Sequence, residues 1–596
     1  MKSFLKYLLA SFIGTFIALF IVFMVMIGSL VGSMMDSFSE GMKDTKQVKV
    51  KENSILEINF NENVTDKPVT NPFEISGFDF SNINKKYITL KTYLDHIKKA
   101  KTDPKIKGIY LNFEGFNLSL SKAEEIRDAL LNFKKSGKFI IARGDMFTQY
   151  QYYVATVADK IYLTPEGALL FQGMNAQIMF YKKLLEKLDV KPEVIRHGKF
   201  KSAVEPFILD SMSNANYLQT KVYVSSLWNH ILEGIAATRN IPVDSLNKYA
   251  DLLLIDSDSA ALKYGFVDGL KYEDEVLAEL KKMMEVKDED DLNFVAMSKY
   301  AKTPVMQPIT KNKIAVVYAV GEIAYGNGND NNKIYPQRLV KEIRKARKDS
   351  TVKAIVLRVN SPGGSALSAE IIWRELKLAQ KAKPLIISMG DLAASGGYYI
   401  SAAGDYIVAD PTTITGSIGV FGLLWNAKGL LNNKVGINVD GYKTNKYADL
   451  GSFYRPLTTY ERQKMQNLVE KTYRTFLKRV ADGRGMTMAD VDSIGQGRVW
   501  SGLNAKEIGL VDEFGGLEKA IKIAADRARI KKYKVVEYPK KKEFMELLME
   551  SLKDDMVKAV INTYLPESVK EQKAMMEFIR NNKGVMALMP YSIIFN

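Results

Sequence analysis

An unbroken apolar run opens the chain, with no charge anywhere in residues 7–35. At ~1.5 Å per residue, a helix of that length exceeds the ~30 Å hydrocarbon core of a bilayer. The run is also about twice the ~7–15-residue apolar stretch of a cleaved leader, and it lacks a small-x-small exit. It therefore predicts one retained N-terminal transmembrane helix, with membrane lipid as a partner. Its flanks leave orientation open, because Lys2 and Lys6 precede it while Lys43, Lys46, Lys49 and Lys51 follow. A polar tether over residues 36–53 leads to SILEINF (54–60), whose alternation is that of a half-buried strand. Residues 61–85, with Pro68, Pro72 and Gly77, read as a loop. Two later stretches then follow one pattern: helix (90–101; 336–348), apolar strand (GIYLNF; AIVLRV), glycine-containing turn, helix, strand (FIIARG; LIISMG), turn and helix. The short strands KIYLTP and YIVADP come next. Strands alternating with helices at this spacing predict an α/β fold of stacked parallel βαβ units.

The two stretches match residue by residue. GDLAASGGYYIS (390–401) lies over GDMFTQYQYYVA (144–155) without gaps, and residues 107–173 and 353–419 share one spacing. AEEIRDAL matches AEIIWREL, Asp159 matches Asp405, and Pro165 matches Pro411. KYGFVDGL (263–270) and KEIGLVDEF (506–514) extend the match, so the chain is an internal tandem. The expected division is an anchor (1–35), a tether (36–53), a first repeat (54–295), a linker (296–311), a second repeat (312–538) and a helical tail (539–596). The tail has apolar residues at helical spacing, which suits a core or subunit contact, with binding to a membrane surface as the alternative.

Composition narrows the chemistry. The absence of cysteine excludes a cysteine nucleophile, disulfides and thiolate metal sites. With only His96, His197 and His230, and no HExxH, a zinc hydrolase is not expected, and no metal or cofactor is called for. The net charge of +16 suits an anionic surface. The lysines are dispersed, however, and no nucleic-acid motif accompanies them, so nucleic acid is not an expected partner.

One mismatch between the copies carries the chemistry. The second has Ser395 where the first has Gln149, and a serine kept in one copy alone suits a reagent better than packing. Its neighbours Ala393, Ala394, Gly396 and Gly397 permit a sharp strand-to-helix turn that exposes a nucleophile, with the Gly396 N–H as an oxyanion donor. NSPGGS (360–365), one βα unit earlier, offers a second donor at Gly363 or Gly364. Its counterpart FEGFNLS keeps Gly115 but loses the Pro-Gly-Gly. A purely architectural glycine turn is the alternative. The base comes from elsewhere, and EVIRHGKFKSAVEPF offers His197, Lys199 and Lys201. Lys201 has the less polar surroundings, and burial lowers a lysine pKa toward the range of a general base.

NSPGGS, GDLAASGGYYIS and TGSIGV in the second repeat, with KSAVEPF in the first, resemble the signal peptide peptidase A (protease IV) family in its long tandem form. The resemblance runs from the N-terminal apolar segment through GRVWSGLNAKEIGLVDEFGG (497–516) to the closing ALMPY. It implies a crotonase- or ClpP-like α/β fold and a serine protease whose Ser/Lys dyad spans the tandem, carried over here onto Ser395 and Lys201. It further implies bowl-shaped homotetramers, remnant signal peptides as substrates and an extracytoplasmic body. Single-copy relatives draw the lysine from the same half as the serine, which makes Lys443 and Lys446 of GYKTNKYADLGS competitors. Counted from Gly198 and Gly441, however, Lys201 falls on Thr444, and the two lysines read better as a basic surface loop. Ser202 is a candidate for positioning Lys201. Two other classes compete: a crotonase-like acyl-CoA enzyme, and an inactive membrane scaffold of the same fold.

Overall fold

The computed structural model describes residues 14–15, 49–60, 63–68, 87–113, 118–288, 291–328, 330–539 and 584–588. Most of the apolar run 7–35, most of the 61–85 loop, the turn at 114–117 and most of the tail lie outside the described residues. Among those described, no helix is long and apolar enough to cross a membrane.

The first repeat is built on an all-parallel sheet of β1 (Ser54–Ile58), β2 (Ile106–Asn112), β3 (Phe139–Phe147) and β4 (Lys160–Leu169), with a two-residue strand at Gly269–Leu270 beyond β4. The strand that follows β4, β5 (Lys191–Arg196), leaves this sheet altogether. β6 (Asn293–Ala296) closes the sheet beside β1. The stretch just after β6 was expected to be linker, yet Met297 and Tyr300 are core residues and His96 Nε2 lies 3.1 Å from the Thr303 carbonyl oxygen. The first body therefore extends to about residue 303.

The second repeat uses the same plan with β7 (Lys313–Val320), β8 (Val352–Ser361), the short β9 (Gly363–Ser365), β10 (Leu385–Ala394), β11 (Tyr406–Ala409) and β12 (Ile414–Gly416). β8 and β10 are buried on both faces, which explains their near-continuous β-branched and aliphatic runs. β11 pairs with the early part of β10, at 386–389, and β12 with its end, at 392–394. β13 (Phe421–Asn426), β14 (Val499–Ser501), β15 (Lys534–Tyr538) and β16 (Gly584–Leu588) complete the set. In the shared register helix α1 (Leu120–Lys134) corresponds to α4 (Ala366–Ala382), and α2 (Gln149–Ala155) to α5 (Gly396–Ser401).

The seam between repeats is an intimate one. β5 of the first repeat pairs antiparallel along the whole of β13 in the second. From the long helix α3 (Asn214–Arg239), Tyr223 and Leu227 join Ala394, Ile414 and Val499 in one apolar cluster, and Leu120 and Leu392 pack against it. Beside this lies a buried polar network. Arg358 binds Asp66 at 3.0 Å and Glu125 at 2.6 Å, Asn360 donates to Asp66 and Asp391, and the Ser121 hydroxyl donates to Asp410 at 2.9 Å.

Candidate active site

β10 runs straight into Ser395, whose backbone sits at φ 55° and ψ −114°. A residue with a Cβ adopts that geometry only under constraint. Here the Ser395 N–H donates to the Gly416 carbonyl and the Tyr399 N–H donates to the Ser395 carbonyl, both at 2.8 Å. The turn is packed so closely that a Cβ on Gly397 would lie 2.7 Å from the Ser361 carbonyl oxygen. The first copy has relaxed. Its helix α2 starts from an ordinary extended cap at Thr148, φ −74°, and Gln149 fills the serine's place by donating to the Gly173 carbonyl at 2.8 Å.

Lys201 reaches this turn from the other repeat. Beyond β5, the His197 N–H donates to the Val420 carbonyl and the Phe200 N–H to the Gln496 carbonyl, which pins residues 197–201 onto the second repeat. Gly497, at φ +85°, allows the approach, since a Cβ there would stand 2.6 Å from Lys201 Cα. The side chain then passes Gly419 into the interior. Lys201 Nζ lies 2.8 Å from Ser395 Oγ, 3.0 Å from Ser417 Oγ and 3.3 Å from the Ser417 carbonyl oxygen. Lys201, Ser395 and Ser417 are all fully buried. Burial pushes the Lys201 ammonium well below the ordinary lysine range, and none of its three partners is a carboxylate that would oppose the shift.

The other candidates are occupied elsewhere. His197 pairs its Nδ1 with Glu470 at 2.8 Å and stacks on Tyr473 with ring centroids 4.0 Å apart. Lys199 is exposed over the Phe200 ring. Lys443 pairs with Asp449, Lys446 lies over Tyr447, and both are exposed, as a basic surface loop requires. Ser202 does not touch Lys201; its hydroxyl accepts from Gln219 Nε2 at 2.8 Å. Gln219 also donates to the Phe200 carbonyl and accepts the Val499 N–H, tying the lysine loop to the second repeat.

The serine that does touch the lysine, Ser417, escaped the sequence reading. The signal was present, because the shared register that sets Gln149 under Ser395 sets Phe171 under Ser417. Gly396 is the first residue of α5 and follows Ser395 directly. Gly363 and Gly364 lie at φ +97° and +147°, and the Gly363 N–H donates to Ser361 Oγ at 3.2 Å. A Cβ on Gly364 would collide with the Ile323 carbonyl oxygen at 2.1 Å, so this turn admits only glycine there.

Models of known protein families match both repeats. The model of peptidase family S49 matches residues 132–287 and again 377–531, and a Clp protease model matches residues 312–412. The chain is 36% identical over 520 residues to "Protease 4" of Salmonella typhi, spanning 85% of this chain and 83% of that one. It is 36% identical to "Protease 4" of Haemophilus influenzae, over 71% of each chain. It is 32% identical to the chloroplastic "Serine protease SPPA" of Arabidopsis thaliana, over 74% of this chain and 66% of that one. The two S49 matches fall one in each repeat of the Clp protease-like α/β fold, and the chain belongs to peptidase family S49 as a tandem, long-form signal peptide peptidase A type serine protease.

Proposed function

We propose that the chain is a membrane-anchored endopeptidase that cleaves apolar peptides, remnant signal peptides among them, through a Ser395/Lys201 dyad assembled across the tandem. One observation carries this reading: a fully buried lysine with no carboxylate partner places its Nζ 2.8 Å from the hydroxyl of a serine in a constrained turn. A neutral amine has two N–H groups and one lone pair. The Oγ and carbonyl oxygen of Ser417 take the two N–H groups, which turns the lone pair toward the Ser395 hydroxyl. Ser395 Oγ gives its proton to Lys201 and attacks the peptide carbonyl, forming an acyl-enzyme. The N–H groups of Gly396 and Gly363 hold the oxyanion, which displaces Ser361 Oγ from Gly363. The Lys201 ammonium protonates the leaving amine, and the neutral lysine then activates water to release the acyl group.

The apolar run at 7–35 supports the anchor and keeps the site near membrane-derived peptides, with the body on the extracytoplasmic face of the cell membrane. A ring of like subunits, a tetramer on the family pattern, is supported by the tandem itself. Where the seam packs α1 against the end of β10, the matching outward faces of α4 and β3 expose Leu367 (56%), Ile371 (39%) and Met146 (51%). Repeating the seam head to tail between chains covers them and closes a ring.

The test is hydrolysis of a fluorogenic apolar peptide by the membrane-extracted full chain. Ser395→Ala and Lys201→Met each abolish turnover while leaving the melting transition cooperative. Retained activity in Lys201→Met, lost instead in Lys446→Met, refutes the dyad.

A further inference from the structure

Asp410, directly after β11, is 1% exposed, and its carboxyl accepts one hydrogen bond across the seam, from the Ser121 hydroxyl to Oδ2. Its Oδ1 has no partner among the described residues. The Arg358 guanidinium of β8 is spent elsewhere. Its Nε donates to Asp66, one terminal nitrogen donates to Ser388 Oγ and the Met389 carbonyl, and the other meets Glu125 at 2.6 Å and Asp66 at 3.0 Å. All five of its N–H groups thus face partners other than Asp410. Lys122 of α1 is 3.2 Å from Asp391 and 3.5 Å from Asp66. These two cations already answer three carboxylates, Asp66, Glu125 and Asp391. The remaining acid facing Asp410, Glu124 of α1, is taken by His230 and by the Tyr153 hydroxyl.

An ionised Asp410 would therefore be a buried charge with no cation bonded to it, in a cluster already short of positive charge. Burial first, then the Glu125 charge, push its carboxyl well above the ordinary carboxylate range, against the pull of Arg358. Burial raises Glu125 too, but Glu125 keeps Arg358 and the Leu517 N–H, so the proton rests on Asp410. In the shared register Asp410 lies over Thr164 and Arg358 over Asn112. The first copy lacks both groups, so the network belongs to the seam rather than to the repeated fold. It is also close to the dyad along the chain. Four residues on, β12 brings the Gly416 carbonyl that accepts the Ser395 N–H and leads into Ser417, which touches Lys201.

We propose that Asp410 is a proton-held latch on the seam: as a neutral acid it lets α1 of the first repeat close on the second, and in alkaline solution its ionisation opens the seam and parts Lys201 from Ser395. The step is the transfer of one proton from the carboxyl to solvent. The kinetic consequence rests on the peptidase reading, whereas the place of the proton does not. An acid that keeps its proton when folded and loses it when unfolded lowers stability as pH rises, from the ordinary carboxylate range up to its folded value.

Asp410→Asn keeps the shape of the neutral acid and cannot ionise, and it tests the latch in the full chain. In the wild type, kcat/KM for a fluorogenic apolar peptide is expected to fall on the alkaline side along a limb approaching about tenfold per pH unit. In Asp410→Asn that limb is expected at least about one pH unit higher, with kcat/KM at neutral pH within about twofold of wild type. Ser121→Ala removes a bond that favours the ionised form, so it moves the limb upward by a smaller step. Infrared difference spectra at neutral pH are expected to show a carbonyl band of a neutral carboxylic acid that Asp410→Asn lacks. An alkaline limb at one pH in all three proteins overturns the proposal, as does a wild-type spectrum without that band. If hydrolysis is indifferent to Ser395→Ala, the peptidase reading fails instead. The latch is then decided by the urea midpoint, which falls more steeply with rising pH in the wild type than in Asp410→Asn if it holds and equally in both if it does not.

Discussion

Replacing Ser417 by alanine tests whether the lysine must be aimed as well as neutral. Lys201 Nζ has three polar neighbours, and Ser417 supplies two of them, its hydroxyl at 3.0 Å and its carbonyl oxygen at 3.3 Å. Ser417→Ala leaves one N–H of a fully buried amine with no acceptor but the more distant carbonyl or Ser395 itself. A buried donor left without a partner costs about 1–3 kcal/mol. In the folded resting state that cost is escaped by rotating the amine to donate to Ser395 Oγ, which turns its lone pair away from the hydroxyl proton. The penalty then falls on the transition state, and at ~1.4 kcal/mol per tenfold, kcat/KM falls by about 5- to 150-fold. The assay is steady-state hydrolysis of an apolar fluorogenic peptide, with thermal melting alongside. Ser202→Ala is the control, since that hydroxyl accepts from Gln219 and makes no bond to Lys201. Its effect is expected chiefly in stability. A Ser417→Ala enzyme within twofold of wild type across the pH profile refutes the reasoning.

Further measurements bear on the lysine, the seam and the assembly. Because burial depresses the Lys201 pKa, kcat/KM rises with pH through a limb well below the ordinary lysine range, and a limb within that range contradicts a buried base. The same shift makes stability pH-dependent: between the depressed folded value and the ordinary one the unfolded chain holds the extra proton, so stability is full above the ordinary range and is lost as pH falls. Lys201→Met flattens that slope in urea melts, and an unchanged slope argues against the shift. Arg358→Met strands Asp66 and Glu125 in the seam, at a cost of about 3–5 kcal/mol read from the urea midpoint, and a loss below about 1 kcal/mol shows that the network is dispensable. Leu367→Asp, placed on the outward copy of the seam, is expected to reduce the assembly to single chains by light scattering, and an unaltered mass excludes that face from the contact.

The parallel βαβ plan and the tandem were legible because they are local and repeated. The helices at Leu90–Thr102 and Pro336–Lys348 and the strands of GIYLNF and AIVLRV lie where apolar spacing puts them. Ser395 stood out because its counterpart differs. Lys201 was harder, because a lysine that reaches Ser395 from the other repeat has no counterpart in register, and only the apolar flank of KSAVEPF hinted at its burial. What stayed hidden depends on pairing between distant segments. β5 joining β13, Gln219 accepting from Val499, and the strand at Asn293–Ala296 closing the sheet beside β1 leave no periodic trace, since each is specified by a partner more than one hundred residues away. Ser202 was a natural candidate by adjacency in sequence, but successive residues in a short 3₁₀ turn point in different directions, and Ser202 turns to Gln219.

Because the strand β5 carries one repeat's lysine loop into the other repeat's sheet, the proposed catalytic pair is only as stable as the joint between the two repeats. Each repeat has its own hydrophobic core, so mild denaturant is expected to part the repeats before it melts either of them. Such a protein is expected to fall silent while still folded, and to recover at the pace of two surfaces finding each other again rather than of a chain refolding.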